Sequence, residues 1–297
     1  MRLTVLLLLC LFLFGFRQKQ LDEEVFVFET VNKSLLNRKS EIGRDIPVLA
    51  RGMVVFGEDF IETAFGINMK MVYVKGGDFL MGGTSEQGTK ADDDEKPIRR
   101  VMLDSYYIGA FEVTQGQWEK VMLSTVSQQR DKMGKNARLF GVGPDYPMYY
   151  VSWEEAQAFC QELSRKTGKT YCLPTEAQWE YAARGGSKSE GTMYSGSQFI
   201  DEVAWWYCHK THPIGTKRPN ELGLYDMSGN VWEWCQDWYG DYHTDDVQNP
   251  TGSSSGWHRV LRGGSCFAGE EGCRVSFRGY YRSDRYPVGG FRVVIIP

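Results

Sequence analysis

Asp226 and Glu233 bracket a turn, Asp226-Met-Ser-Gly229-Asn230, that is rich in oxygen ligands and in residues tolerating positive φ. Carboxylate, hydroxyl and amide oxygens on one tight turn, followed by the carboxylate of Glu233, are donors of the kind a hard cation takes. The same residues equally make an Asx-turn with Glu233 in a buried hydrogen-bond network. Four carboxylates in a row, Asp92-Asp93-Asp94-Glu95, read as solvated surface rather than as a metal site. Beyond Cys10 stand Cys160, Cys172, Cys208, Cys235, Cys266 and Cys273, an even set that permits disulfides without fixing any pairing. None has C-x-x-C spacing, and the histidines are only His209, His212, His243 and His258. A zinc site is therefore not expected, and Cys160 and Cys235 read as buried thiols.

The elements that must position these groups are legible from periodicity and caps. Trp232, Trp234 and Trp238 share the even face of a strand, expected to be core, with Val231, Glu233 and Cys235 on the other face. Ser152 with Glu155 three residues on is a capping box for a helix that Gly168 ends. Thr175 with Gln178 opens a second helix, to about residue 184, that turns Trp179, Ala182 and Ala183 inward. Its Glu176, Glu180 and Arg184 form an i, i+4, i+8 ladder expected on the surface. Thr114 caps a helix from Gln115 to Met122. Met71 to Gly83 suggests a hairpin about Gly76-Gly77, Arg99 to Glu112 reads as strand, and residues 124–146 and 187–222 as irregular chain. No repeat or low-complexity tract is visible.

Composition bounds the function. A chain of 297 residues, 42% hydrophobic and 14% aromatic, can bury a large core. Its net charge of −4 gives no basic footprint, so no nucleic-acid partner is expected. Met1-Arg2, the apolar run Leu3 to Phe16 and then Arg17-Gln-Lys19 read as an export leader, too short for the roughly 17 to 25 residues that span a bilayer. Cys10 stands where a lipoprotein cysteine would, yet Leu7-Leu8-Leu9 lack the small residue of a cleavage site, so lipidation at Cys10 and a plain leader both stay open. The expectation is an exported protein at the cell surface or outer membrane, attached to the membrane through its leader or a lipid.

Five stretches occur in a familiar order: MVYVKGGDFLMGG from Met71, YYIGAFEVTQGQ from Tyr106, VSWEEAQAFC through YCLPTEAQWEYAARGG from Val151 to Gly186, GLYDMSGNVWEW from Gly223, and RGGS, CRVSFR and GGFRVV between Arg262 and Val294. Together they resemble the formylglycine-generating enzyme and sulfatase-modifying factor superfamily. The resemblance implies an α+β fold of C-type lectin type, a small mixed sheet with short helices and much irregular loop. It divides the chain into a leader (1–18), an extension (19–68) and that domain (69–297). It also implies a structural calcium ion held by Asp226, the carbonyls of Gly229 and Val231, and Glu233.

Two functions follow from the resemblance. The enzymes of the family oxidise a substrate cysteine with two thiolates placed third and eighth after RGGS, a soft pair suited to Cu(I). Here the third position is Ala268, the eighth is Cys273, and Cys266 stands first. Two residues of chain move a thiol by about 6–7 Å, far beyond a metal–sulfur bond of about 2.3 Å, so this chemistry and its cofactor are disfavoured. The segment also resembles the variable region of diversity-generating retroelement proteins, in which scrambled Asn codons yield residues such as Phe, Tyr, Gly, Ala, Val and Cys. Phe267, Ala268, Gly269, Gly272, Phe277, Gly279, Tyr280, Tyr281, Tyr286 and Val288 fit that set and the Tyr-Gly mixture of adaptable paratopes. Arg278, Arg282 and Arg285 among them argue for an exposed segment. The expectation is a non-catalytic surface for an unidentified protein or other macromolecular ligand.

Overall fold

Residues 56–284 and 286–296 are described in a computed structural model of the chain, so the leader, Cys10 and Arg285 lie outside them. The helices form where the sequence satisfies their first amides locally. Thr114, Ser152 and Thr175 each accept from the amide three residues on, while Gln117, Glu155 and Gln178 return the bond, opening α1 (Gln115–Met122), α3 (Trp153–Thr167) and α4 (Glu176–Ala183). Gly168 closes α3 at φ 76°. The stretch expected to be loop after α1 holds another helix, α2 (Val126–Asp131), opened by the same device at Thr125 and Gln128. A one-turn α5 spans Ile200–Val203.

The strands fall into three sheets. β1 (Phe60–Glu62), β2 (Met69–Val74), β5 (Tyr106–Gly109), β12 (Val294–Ile295) and β6 (Tyr171–Cys172) form a five-stranded antiparallel sheet in that order. The second sheet runs β10 (Gly279–Tyr281), β9 (Arg259–Arg262), β7 (Trp232–Trp238), β11 (Gly289–Gly290). The third runs β3 (Gly77–Met81), β4 (Arg99–Leu103), β8 (Val247–Gln248). The sheet begins at Phe60, ahead of the boundary expected at residue 69, because β1 pairs with β2 from Phe60↔Met71 to Glu62↔Met69.

Three expectations need correction. Gly76-Gly77 does not turn a hairpin: β2 pairs with β5 and β3 with β4, so the chain changes sheets there. Arg99 to Glu112 likewise breaks at Asp104-Ser105 into β4 and β5 of different sheets. Finally, the odd face of β7 is the wholly buried one, carrying Glu233, Cys235 and Asp237 inward, while Trp232 and Trp238 on the even face are only half-buried and Trp234 alone is fully enclosed. Strand alternation separates two faces; it does not say which is covered more deeply.

The main core gathers Val72, Val74, Ile108, Trp179, Tyr181, Cys235, Val260, Val275 and Val294. α4 runs through it with every residue from Glu176 to Ala183 buried. At the sheet change the backbone of β4 crowds Gly76, where a Cβ would stand 2.4 Å from the carbonyl oxygen of Leu103. Gly76→Ala is expected to cost about 1–3 kcal/mol through forced backbone movement, read as a lowered urea midpoint with unchanged slope.

Candidate functional site

Glu176, Glu180 and Arg184 are not a surface ladder. All three are buried; Arg184 bonds Glu180 one turn back together with Thr84, Glu86 and the Gly82 carbonyl, while the arginines on Glu176 and Glu180 arrive from the C-terminal part of the chain. Arg262, at the end of β9, bonds Glu180 through Nη2 and the carbonyls of Val275, Ser276 and Phe277. Arg278 makes a two-bond fork on Glu176, Nε to Oε1 at 2.7 Å and Nη2 to Oε2 at 2.9 Å, and donates to the carbonyls of Asp94 and Gly240. Arg274 forks onto Glu95 and also reaches Ser276 Oγ at 3.2 Å. Glu95 is thus wholly buried and not part of a solvated run, although Asp93 remains at the surface. Burial pushes the Glu176 carboxyl up, but the charges of Arg278 and Arg262 outweigh it and hold the group below the ordinary carboxylate range.

Arg292, just before β12, completes the frame. Its Nε and Nη2 donate to Glu233 at 2.7 and 2.6 Å, and the same carboxylate accepts Trp179 Nε1 at 2.7 Å. Both Glu233 oxygens accept protein donors, and the Arg292 guanidinium supplies a counter-charge. Asp226 turns Oδ2 to the amide of Gly215 at 2.7 Å, and its buried Oδ1 has no partner among the described residues. That orphaned oxygen, within the expected set of Asp226, the carbonyls of Gly229 and Val231, and Glu233, fits a cation. Glu112, which sequence reasoning missed, accepts Asn230 Nδ2 at 2.7 Å and the Val231 amide at 3.1 Å. Burial, reinforced by the carboxylates of Asp226 and Glu233, pushes Glu112 well up, and burial raises Asp226 to about 6.

The expected binding residues hang between these arginines. Phe267, Ala268 and Gly272 lie half-buried and Gly269 exposed between Arg262 and Arg274; Phe277 lies between Arg274 and Arg278; Gly279, Tyr280, Tyr281 and Tyr286 follow Arg278. Tyr280 is 51% and Tyr281 37% exposed, on an edge strand. Val288 is 5% exposed and belongs to the frame, since the Trp232 amide bonds its carbonyl at 3.0 Å. Arg278 is buried too, its charge answered by Glu176; the expectation that it marks exposed chain holds for Arg282 but not for Arg278.

Trp232 is the hub that sequence reasoning placed in the core. Phe277 packs at 6.0 Å from its ring, and a Cβ on Gly279 would stand 2.7 Å from it. Gly269 by contrast faces open space. Tyr281 packs on Tyr286 at 4.6 Å, and Tyr280 on Tyr239 at 4.3 Å and His258 at 5.3 Å. Phe267 meets Phe140 at 4.8 Å and His209 at 5.4 Å, a neighbouring aromatic group.

The six described cysteines are free thiols. Cys266 and Cys273 are both fully buried; burial pushes Cys273 up to about 12 and Cys266 higher still. Protonated, enclosed thiols are poor nucleophiles and poor ligands. Cys208 lies close by, its amide donating to the Cys266 carbonyl at 2.9 Å. Ala268, at the position where the enzymes carry a thiolate, offers only a methyl group.

Comparison with known proteins bears on both readings. Residues 60–296 match the family model of the sulfatase-modifying factor enzyme 1-like domain. Chaperone protein LppX of Paenibacillus barcinonensis is 30% identical over 278 residues, covering 75% of this chain and 88% of that protein. The formylglycine-generating enzyme of Streptomyces coelicolor is 30% identical over 274 residues, covering 73% of this chain and 84% of the enzyme. Among solved structures, Treponema denticola variable protein 1 superposes with a TM-score of 0.69 at 30% identity, over 80% of this chain and 99% of that one. The architecture is that of these proteins, a lectin-like α+β fold.

Two tests probe the frame. Glu233→Ala leaves Arg292 buried without its anion and is expected to cost about 3–5 kcal/mol, whereas Tyr281→Ala should stay within about 0.5 kcal/mol of the parent; thermal unfolding of both reads the contrast. The second concerns Asp237, whose Oδ2 accepts the Glu176 amide at 3.0 Å. Burial and the Glu176 carboxylate raise it from 3.8 to about 7. The native chain then keeps a proton that the unfolded chain releases, so this group's contribution falls as pH rises from about 4 to about 7 and is flat above. Asp237→Asn should therefore gain stability relative to the parent across that window, measured by urea unfolding at several pH values.

Proposed function

The chain belongs to the sulfatase-modifying factor enzyme 1-like domain family, and from that premise we propose that it is a non-catalytic, surface-displayed ligand-binding protein whose C-terminal face is diversified in sequence. The observation that carries this is the alternation along residues 262–292: Arg262, Arg274, Arg278 and Arg292 are buried on glutamates, while the expected binding positions between them, Val288 excepted, are half-buried or exposed. Such a segment can change its outward residues without disturbing what holds it. The 30% identity to Treponema denticola variable protein 1 supports the same reading.

Catalysis is disfavoured by Ala268 and by the enclosure of Cys266 and Cys273. The reading includes no catalytic cofactor and gives a calcium ion at Asp226 a structural role alone. The reading includes export, with attachment through the leader or through a lipid at Cys10. Among the described residues no helix is long and apolar enough to cross a membrane.

A second reading, oxidation of a substrate cysteine to formylglycine, is favoured by the enzymes among the relatives. One experiment separates the two. The full chain, supplied with copper and a cysteine-containing peptide under air, should give no formylglycine by mass spectrometry; turnover that disappears in Cys273→Ser would overturn the binding reading. In parallel, gene copies from sibling isolates should differ mainly at the codons for the solvent-reaching residues between Phe267 and Tyr286.

A further inference from the structure

The aromatic face has an acidic border. The 3-10 turns Asp93–Glu95 and Glu270–Cys273 bring carboxylates together: oxygen atoms of Asp92, Asp94 and Glu95 lie within 4.8 Å of one another. Burial, and then the charges of Glu95, Asp94 and Glu271, push Asp92 upward against the pull of Arg274. Glu271 therefore lies within electrostatic reach of the same group.

The cations nearby do not balance this border. Lys96 answers Asp93 at 3.1 Å, Lys90 answers Glu270 at 3.0 Å, and Arg274 is forked onto Glu95. Asp92 has only a share of Arg274, at 3.7 Å. Asp94 accepts the Tyr239 hydroxyl at 2.5 Å, and Glu271 has no cationic partner among the described residues.

These carboxylates adjoin the rings. Tyr239, bonded to Asp94, packs on the exposed Tyr280, and Arg274, shared with Asp92, lies 5.6 Å from the ring of Phe277, which in turn meets Trp232. Half-open aromatic faces beside unbalanced carboxylates attract guanidinium and ammonium groups twice over, through the ring quadrupole and through the anion. An acidic partner would meet like charge at the same border.

Resting on the binding-surface reading, we propose that the occupant of this face is a basic polypeptide segment, with Arg or Lys side chains over Tyr280 and Phe277 and Asp92, Asp94 and Glu271 as their counter-charges. The exposed, diversified positions then select among basic sequences, while the acidic border, outside the diversified set, supplies an attraction common to all of them.

The test uses the full chain and two fluorescein-labelled probes, an oligoarginine and an oligoglutamate peptide, followed by fluorescence anisotropy. Oligoarginine should bind and weaken steeply with added salt, and oligoglutamate should not bind. Asp92→Asn combined with Glu271→Gln should weaken oligoarginine at least about tenfold, and Tyr280→Ala should weaken it measurably. The charge-matched pair Asp131→Asn with Glu162→Gln, away from this face, should leave it unchanged. No oligoarginine binding, tighter oligoglutamate binding, or equal loss in the control pair would each overturn the proposal. None of these would produce oxidase turnover, so the failure of this inference and the failure of the non-catalytic reading are told apart.

Discussion

Burying a guanidinium is tolerable only against a carboxylate, and this fold does so repeatedly with glutamates far away in sequence. Arg274 meets Glu95 across 179 residues, Arg278 meets Glu176 across 102, and Arg292 meets Glu233 across 59. Such pairs are weak evidence for net stability, because desolvating both partners opposes their attraction. Their geometry is another matter. A planar fork fixes position and orientation together, and two of these guanidiniums spend further donors on backbone carbonyls: Asp94 and Gly240 for Arg278, Gly109 and Tyr225 for Arg292. The pairs therefore dictate where the irregular chain runs.

That division of labour explains how a loop-rich segment presents a defined face. Regular hydrogen bonding is sparse between β9 and β12, where β10 has three residues and β11 two. The arginines do the work that long strands do elsewhere. Trp232 extends the same logic outward: its backbone belongs to β7, and its ring forms a floor on which Phe277 rests and against which Gly279 leaves no room for a side chain. Not every outward position is equally free. Gly269 faces open space, whereas a larger residue at 279 requires the Trp232 ring to move.

What the sequence made legible was local. Thr114, Ser152 and Thr175 announced their helices because a capping side chain and its amide lie three residues apart. Thr125 carried the same signal, hidden in a stretch whose polarity reads as loop. The lectin-like fold was legible from the motifs and their order. The ladder Glu176, Glu180, Arg184 was misread because spacing within one helix says nothing of the arginines that arrive from beyond residue 260. The partners of Glu233 were hidden for the same reason: only the folded chain brings Arg292 and Trp179 to its carboxylate. Glu112 gave no local signal, since its partners Asn230 and Val231 lie well over a hundred residues on.

The placement of β12 has a consequence for biosynthesis. This last strand is not at an edge but between β5 and β6, with Val294 pairing Ile108 on one side and Cys172 on the other. The five-stranded sheet stays divided until β12 has been synthesised. A premature stop between Cys266 and Val288 leaves β5 and β6 without their shared neighbour and Glu233 without Arg292. Closing this sheet and seating Arg292 are thus late events, reached only by a chain translated through residues 266–288.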